Sequence, residues 1–203
     1  VALTLASLRG IPEFVRAHER HEWAFQWRPA LADKRVLLVG YGAIGAAIEA
    51  RLAPFEVEIV RVARSARDGV HAIGELPTLL PDVDVVILCL PLTEDTRGLV
   101  DAGFLARMRS GALLVNVARG AVVATDDLVA ALREERVHAA IDVAEEEPLP
   151  EGSPLWSAPG LLISPHVGGA SSAMWPRAHR IVRDQLHRYA AGEELLNVVV
   201  GPS

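Results

Sequence analysis

The stretch LLVGYGAIGAAIEARL, residues 37–52, places three glycines between a β-rich apolar run and an alanine-rich helical pattern. Glycine loses more backbone freedom on folding than any other residue, so three of them at one junction need a physical reason. Gly40, Gly42 and Gly45 form a GxGxxG pattern between a predicted strand and a predicted helix, and this context gives the pattern meaning. They permit, in order, a tight turn, the approach of backbone N–H groups to a pyrophosphate, and close helix–strand packing. The stretch therefore predicts a dinucleotide-binding turn, the alternative being a tight turn without a ligand.

The composition is that of a globular protein, with 51% hydrophobic and 23% charged residues among 203. The net charge is −6 and no dense Lys/Arg run occurs, which argues against nucleic acid as a partner. Cys89 is the single cysteine, so we expect no disulfide framework and no cysteine metal site. We assign no metal ligands. No apolar stretch reaches the length of a membrane span and no signal peptide is visible, so we predict a cytoplasmic protein with no membrane partner.

From residue 35 onward, short apolar β-rich runs alternate with helical patterns. Several of the runs are apolar on consecutive residues, which is typical of a parallel sheet covered on both faces. Strand–helix alternation predicts an α/β fold with a doubly wound parallel sheet of the Rossmann type. We assign residues 31–170 to a dinucleotide-binding domain, residues 1–30 to an N-terminal helical arm and residues 171–203 to a C-terminal helix and tail. The predicted helices cover residues 43–52, 74–80, 101–108, 125–134 and 172–191.

The arm is rich in aromatic residues interleaved with charged ones, namely Phe14, Trp23, Phe25 and Trp27. Two interpretations stay open at this point. The arm is either a helix that covers one edge of the sheet, or a segment that buries its aromatic side chains against another subunit.

The second predicted strand indicates which dinucleotide fits. In NAD-binding domains a carboxylate at the end of this strand accepts hydrogen bonds from the adenosine ribose. The run EVEIVRVARSAR instead has Ala63 at that position, followed by Arg64, Ser65 and Arg67. Two guanidinium groups and a hydroxyl would bind a 2′-phosphate through charge-assisted hydrogen bonds. We therefore favour NADP over NAD as the cofactor, the alternative being a solvated basic turn.

Three further stretches place chemically active side chains just after predicted strands. They are NVARGAVV with Arg119, AAIDVAEEEPLP with Asp142 and three glutamates, and LLISPHVGGAS with His166. Because the carboxyl ends of parallel strands open onto one ligand crevice, we expect these side chains to converge near the nicotinamide. The alternatives are a surface salt bridge for the arginine, a solvated loop for the glutamates and a structural role for the histidine.

Taken in order, GYGAIG, LPLTEDTRGLV, LLVNVARG, AAIDVAEEEPLP and SPHVGGAS resemble the D-isomer-specific 2-hydroxyacid dehydrogenases, and the resemblance covers residues 3–199. It implies an enzyme that transfers a hydride between NAD(P)H and a small 2-keto or 2-hydroxy acid. Residues 64–67 match the NADP-binding turn of the family's glyoxylate/hydroxypyruvate reductase branch. The resemblance therefore favours glyoxylate or hydroxypyruvate as the substrate.

The resemblance also implies roles for individual residues. Arg119 resembles the arginine that binds the substrate carboxylate, His166 the catalytic acid/base, and Glu147 the carboxylate that favours the charged histidine. Reduction of a keto acid requires a hydride at the carbonyl carbon and a proton at its oxygen, and these residues suit that chemistry. The cofactor contacts that we predict are Gly40, Gly42, Ala43, Ile44, Gly45, Arg64, Ser65, Arg67, Leu90, Val117, Ala118, Asp142, His166 and Gly168.

The family has a second domain, built mostly from residues that precede the point where this chain begins. Val1 is not a methionine, so we expect most of this substrate domain to be absent, with residues 171–203 returning towards it. In the family the arm takes part in the dimer contact, which favours a homodimer. Two rival hypotheses remain, a dinucleotide-binding regulator resembling a corepressor and a catalytically inactive cofactor-domain fragment.

Overall fold

A computed structural model describes residues 1–196 and 198. The chain divides into two compact units, Val1–Pro165 and the residues from His166 onward. The predicted tail falls partly outside the described residues, because it includes residues 197 and 199–203. The boundaries proposed above for arm, cofactor domain and tail stay a prediction.

The first unit is built on one parallel sheet of seven strands in the order β3-β2-β1-β4-β5-β6-β7. This confirms the predicted doubly wound α/β fold. The strands are β1 (Arg35–Val39), β2 (Glu58–Ala63), β3 (His71–Ala72), β4 (Val85–Leu88), β5 (Leu113–Asn116), β6 (His138–Ile141) and β7 (Leu161–Ile163). The strand order reverses between β1 and β4, which both pair with neighbours in parallel. In such sheets the crevice at this reversal binds the ligand.

Helices cover both faces of the sheet, as the consecutive apolar residues of the strands require. The helices of the first unit are α1 (Ala2–Leu8), α2 (Ile11–Glu19), α3 (Ala43–Leu52), α4 (Leu76–Leu79), α5 (Ala102–Arg107) and α6 (Thr125–Arg133), and the second unit contains α7 (Met174–Ala191). Alternate residues of β1 point to opposite faces. Leu37 packs in the core beneath α4, α5 and α6, and Leu38 packs in the core shared with α1 and α3.

The N-terminal segment is helical over only part of its predicted length. Helix α1 packs its leucines against the sheet face formed by the central strands, rather than against a sheet edge. Beyond α2, residues 22–30 carry no regular secondary structure. Trp23 and Trp27 are 96% and 92% exposed, and Phe25 is 75% exposed. These three aromatic side chains therefore contribute nothing to the core of the first unit.

The second unit consists mainly of α7, which falls within the predicted range. Helix α7 ends at Ala191 and is followed by Gly192, whose φ of +70° suits a glycine after a helix. An apolar surface on this helix comprises Ile181, Val182, Leu186 and Tyr189, all of which are exposed. None of the helices in the described part of the chain is long and apolar enough to cross a membrane.

Two glycines of the same turn can be compared to test how much the close backbone contact at Gly40 matters for stability. Gly40 has a φ of +102°, and a Cβ atom there would lie 2.5 Å from the backbone nitrogen of Leu90. A Cβ atom on Gly42 would meet no atom within 4 Å. We expect Gly40→Ala to lower the free energy of unfolding by roughly 2–4 kcal/mol, because the turn must shift. Gly42→Ala, the matched control, should change it by less than about 0.5 kcal/mol.

Urea denaturation of the cofactor-free protein measures both changes. Equal destabilisation by the two substitutions would contradict the assignment of the close contact to Gly40 alone.

Candidate functional site

The glycine turn is tied to the end of β2 by two backbone hydrogen bonds. The N–H groups of Gly40 and Tyr41 both donate to the carbonyl oxygen of Val62, at 2.9 and 2.8 Å. Gly45 lies against the turn, because a Cβ atom there would come within 3.3 Å of the Gly40 carbonyl oxygen. The turn and the start of α3 therefore pack closely, as the glycine spacing predicts.

Among the residues that the structure describes, none comes close to the outer side of Gly42 at the start of α3. Gly42 is its N-cap residue and no side chain caps the helix. No atom lies within 4 Å of the position that a Cβ atom of Gly42 would occupy. Ala43 and Ile44 follow and are exposed. Uncapped N–H groups that face open space suit an anion such as a pyrophosphate.

The basic turn after β2 lies beside the glycine turn. Arg64, Ser65 and Arg67 are all exposed, and Ala63 ends the strand. The Nη2 atom of Arg67 donates to the Tyr41 carbonyl oxygen at 2.5 Å. The structure thus brings one of the two predicted phosphate-binding arginines to the rim of the glycine turn.

The end of β4 forms the other wall of the turn. Leu90 and Cys89 are buried, and the Cys89 thiol donates to the carbonyl oxygens of Val39 and Gly40 at 3.4 Å. Burial raises the pKa of this thiol to about 11. Cys89 is therefore a neutral packing residue rather than a nucleophile.

The loop after β5 carries Arg119 and is held by a residue that the sequence analysis missed. Asn116 is buried, its side-chain oxygen accepts from Ala118 N–H at 3.0 Å, and its amide donates to the Arg119 carbonyl oxygen at 3.1 Å. The Arg119 guanidinium donates to the Ala118 carbonyl oxygen at 2.7 Å and is exposed. The half-buried Val117 completes the loop. A polar residue that ends an apolar strand run was the available signal for Asn116.

The loop after β6 touches the loop after β5. A Cβ atom on Gly120 would lie 1.9 Å from the backbone of Ala144, so the two loops meet through main-chain atoms. The Glu147 side chain turns back to accept from Ala144 N–H at 3.0 Å. Asp142 is buried, and its carboxylate accepts a hydrogen bond from the Ser164 hydroxyl. The first unit therefore places Arg119, Asp142 and Glu147 on adjoining loops at the carboxyl ends of β5 and β6.

His166 and Gly168 lie at the start of the second unit, and both are exposed. His166 has a φ of +53°, an uncommon conformation for a residue that bears a side chain. Its pairing with Glu147 stays a prediction. Within the described residues, no group of three or more His, Cys, Asp or Glu side chains is arranged to hold a metal ion.

Comparison with known proteins agrees with this geometry. Residues 1–168 match the family described as D-isomer specific 2-hydroxyacid dehydrogenase, NAD binding domain. The glyoxylate/hydroxypyruvate reductase B of Citrobacter koseri is 38% identical over 183 residues, which cover 84% of this chain and 56% of that protein.

Two solved structures share the fold. The D-isomer specific 2-hydroxyacid dehydrogenase of Xanthobacter autotrophicus Py2, in complex with NADPH and MES, is 38% identical with a TM-score of 0.83, covering 97% of this chain and 83% of that one. An NADPH-dependent glyoxylate/hydroxypyruvate reductase of Sinorhizobium meliloti, in complex with NADP and sulfate, is 29% identical with a TM-score of 0.84, covering 97% and 65%.

The chain spans 56–61% of the length of the first curated relatives that it matches. The family match covers most of the chain itself and includes the glycine turn and the strand-end loops. The chain belongs to the D-isomer-specific 2-hydroxyacid dehydrogenase family, of which it contains the NAD-binding domain.

Proposed function

We propose that the chain binds NADP(H) and that the enzyme it forms reduces glyoxylate or hydroxypyruvate. The observation that carries the proposal is the arrangement of three elements at one end of the sheet: an open glycine turn, a basic turn beside it, and the Arg119 and Glu147 loops. Relatives named glyoxylate/hydroxypyruvate reductase and neighbours solved with NADP or NADPH support it.

The cofactor fits the residues that are present. The uncapped start of α3 and the open space before Gly42 suit the pyrophosphate. Arg64, Ser65 and Arg67 suit a 2′-phosphate, since no acidic side chain stands at residues 63–67 to repel it. The nicotinamide, when bound, supplies the hydride.

The roles proposed for the protein's own residues follow from the chemistry of a 2-keto acid. Arg119 binds the carboxylate and polarises the carbonyl. His166 in its protonated form delivers a proton to the carbonyl oxygen, and Glu147 favours that charged form. Asp142, together with the buried residues around it, lines the nicotinamide end of the site. A cytoplasmic location stays a prediction.

The acid/base assignment is tested with an enzyme that carries a substrate domain together with this chain. We expect His166→Gln to lower kcat for glyoxylate about 10²–10⁴-fold, because general acid catalysis is lost. Glu147→Gln should lower kcat and shift its pH profile, whereas the neighbouring Glu146→Gln should leave both unchanged. Stopped assays that follow NADPH consumption provide the measurement. Cofactor binding without turnover of either keto acid would instead support the regulatory alternative.

The cofactor preference is tested by fluorescence titration with NADPH and NADH. We expect NADPH to bind more tightly, and the double substitution Arg64→Ala and Arg67→Ala to remove most of that preference. Each charge-assisted contact contributes about 1.5–3 kcal/mol. The control is Arg51→Ala, since the Arg51 guanidinium donates to the carbonyl of Ala47 within α3. Equal dissociation constants in the unmutated protein would overturn the preference.

We also propose that the protein assembles as a homodimer through its N-terminal arm. The side chains of Trp23, Phe25 and Trp27 are exposed and form a concentrated aromatic surface. Exposing such a surface to water is unfavourable for a monomer, and patches of this kind mark interaction sites. The ring of Phe25 packs edge-on against Trp27 at 6.2 Å between centroids. The arm's far end is fixed, because Arg9 donates to the Arg28 carbonyl oxygen at 3.1 Å.

Analytical ultracentrifugation tests the dimer. We expect Trp23→Ser with Trp27→Ser to raise the dimer dissociation constant at least about tenfold, since buried aromatic anchors carry much of an interface's energy. Trp175→Ser removes an exposed tryptophan from α7, outside the arm, and serves as the control. A single monomeric species for the unmutated protein at micromolar concentration would rule the dimer out.

A further inference from the structure

Tyr41 occupies the first variable position of the glycine turn, between Gly40 and Gly42. Its side chain is half-buried between two arginines. The guanidinium carbon of Arg61 lies 5.5 Å from the ring centroid, and that of Arg67 lies 5.9 Å from it. Both distances fall within the range of a cation–π interaction.

One of these arginines has a structural partner of its own. Arg61 lies on β2 and forms a two-pronged ion pair with Glu49 of α3. Its hydrogen bonds are the main reason that the pKa of Glu49 is lowered, and the Tyr41 hydroxyl contributes to the same shift. Arg61 and Glu49 therefore fix the inner side of the Tyr41 ring to the body of the domain.

Arg67 is held on the outer side of the ring. Its backbone is fixed by two hydrogen bonds with Val70, at 3.0 and 2.8 Å, across a two-residue turn that contains Gly69 with a φ of +66°. Such Asp-Gly turns are among the tightest connections in proteins. Its guanidinium is fixed by the Tyr41 carbonyl oxygen and by the face of the Tyr41 ring.

Arg64 differs from Arg67 in this respect. It is also exposed, yet among residues 1–196 and 198 it has no hydrogen bond or ion pair through its side chain. Binding must order a free arginine side chain at a cost in conformational entropy, whereas an arginine that is already ordered avoids most of that cost. The two arginines of the basic turn are therefore not equivalent.

We propose that Tyr41 is a positioning residue for cofactor discrimination: its ring and carbonyl hold Arg67 in place to receive the 2′-phosphate of NADP. The role rests on the NADP preference proposed above. A guanidinium with five donors can keep its bond to the Tyr41 carbonyl while its remaining donors face the phosphate. Because Tyr41 contacts Arg67 of the basic turn, we expect its influence to fall on the 2′-phosphate rather than on the nicotinamide.

The test is a double-mutant cycle on the full chain, with dissociation constants for NADPH, NADH and adenosine 2′,5′-bisphosphate. Tyr41→Leu should weaken NADPH and the bisphosphate about three- to tenfold and leave NADH within about twofold, because a cation–π contact and pre-ordering are lost. Tyr41→Phe keeps the ring face and should stay within about twofold of the unmutated protein for all three ligands. In an Arg67→Met background, Tyr41→Leu should have no further effect.

Thermal denaturation of each variant confirms folding, and Tyr41→Gln provides a second ring-free variant if the leucine variant unfolds. Equal weakening of NADPH and NADH by Tyr41→Leu, or additive losses in the Arg67→Met background, would overturn the role of Tyr41 while leaving the NADP preference intact. Equal affinity of the unmutated protein for NADPH and NADH would overturn the preference, and the role of Tyr41 with it.

Discussion

The whole site depends on how closely the backbone of Gly40 approaches the end of β4. The turn after β1 is enclosed on two sides, by the Val62 carbonyl of β2 and by the backbone of Leu90. Only a residue without a Cβ atom fits there, and only glycine adopts its φ without strain. The close approach sets the direction in which α3 leaves the sheet, and therefore where the uncapped N–H groups of its first turn point.

The remaining loops are positioned in a similar way, by main-chain contacts and buried polar groups rather than by the functional side chains. Gly120 admits the backbone of Ala144, which joins the loops after β5 and β6. Asn116 satisfies two backbone groups of the Arg119 loop from within the core. Because a buried amide that lost these partners would be costly, the loop is held in one conformation. Arg119 and Glu147 are then presented by rigid backbone at exposed positions.

The sequence was informative about the fold because strands covered on both faces must be apolar on consecutive residues, as in β1 and β4. It also predicted the glycine turn and the strand-end loops, since these follow from spacing and order along the chain. Strand β3 was missed because two residues carry no periodicity. The contacts of Tyr41 were missed because they join it to Arg61 and Arg67, which are 20 or more residues away in sequence. Asn116 was missed although its side-chain partners, Ala118 and Arg119, are close in sequence. The length of the N-terminal helices was overestimated, because the charged and aromatic residues after α2 have no packing partner that a helix would require.

The exposure of the proposed catalytic groups has a consequence for how they work. Two opposite unit charges 4 Å apart attract each other by about 1 kcal/mol in bulk water. Near a protein surface, where the effective dielectric constant is lower, the attraction is about 4 kcal/mol. Arg119 and Glu147 are exposed within the first unit, so water screens the electrostatic interactions of both side chains. Their backbone supports already fix their positions, and further rigidity there adds little. Excluding water from such a site strengthens its electrostatic interactions, because the local dielectric constant falls. The described residues therefore fix the backbone of the loops that carry Arg119 and Glu147, while exposure to water weakens the electrostatic interactions of both side chains.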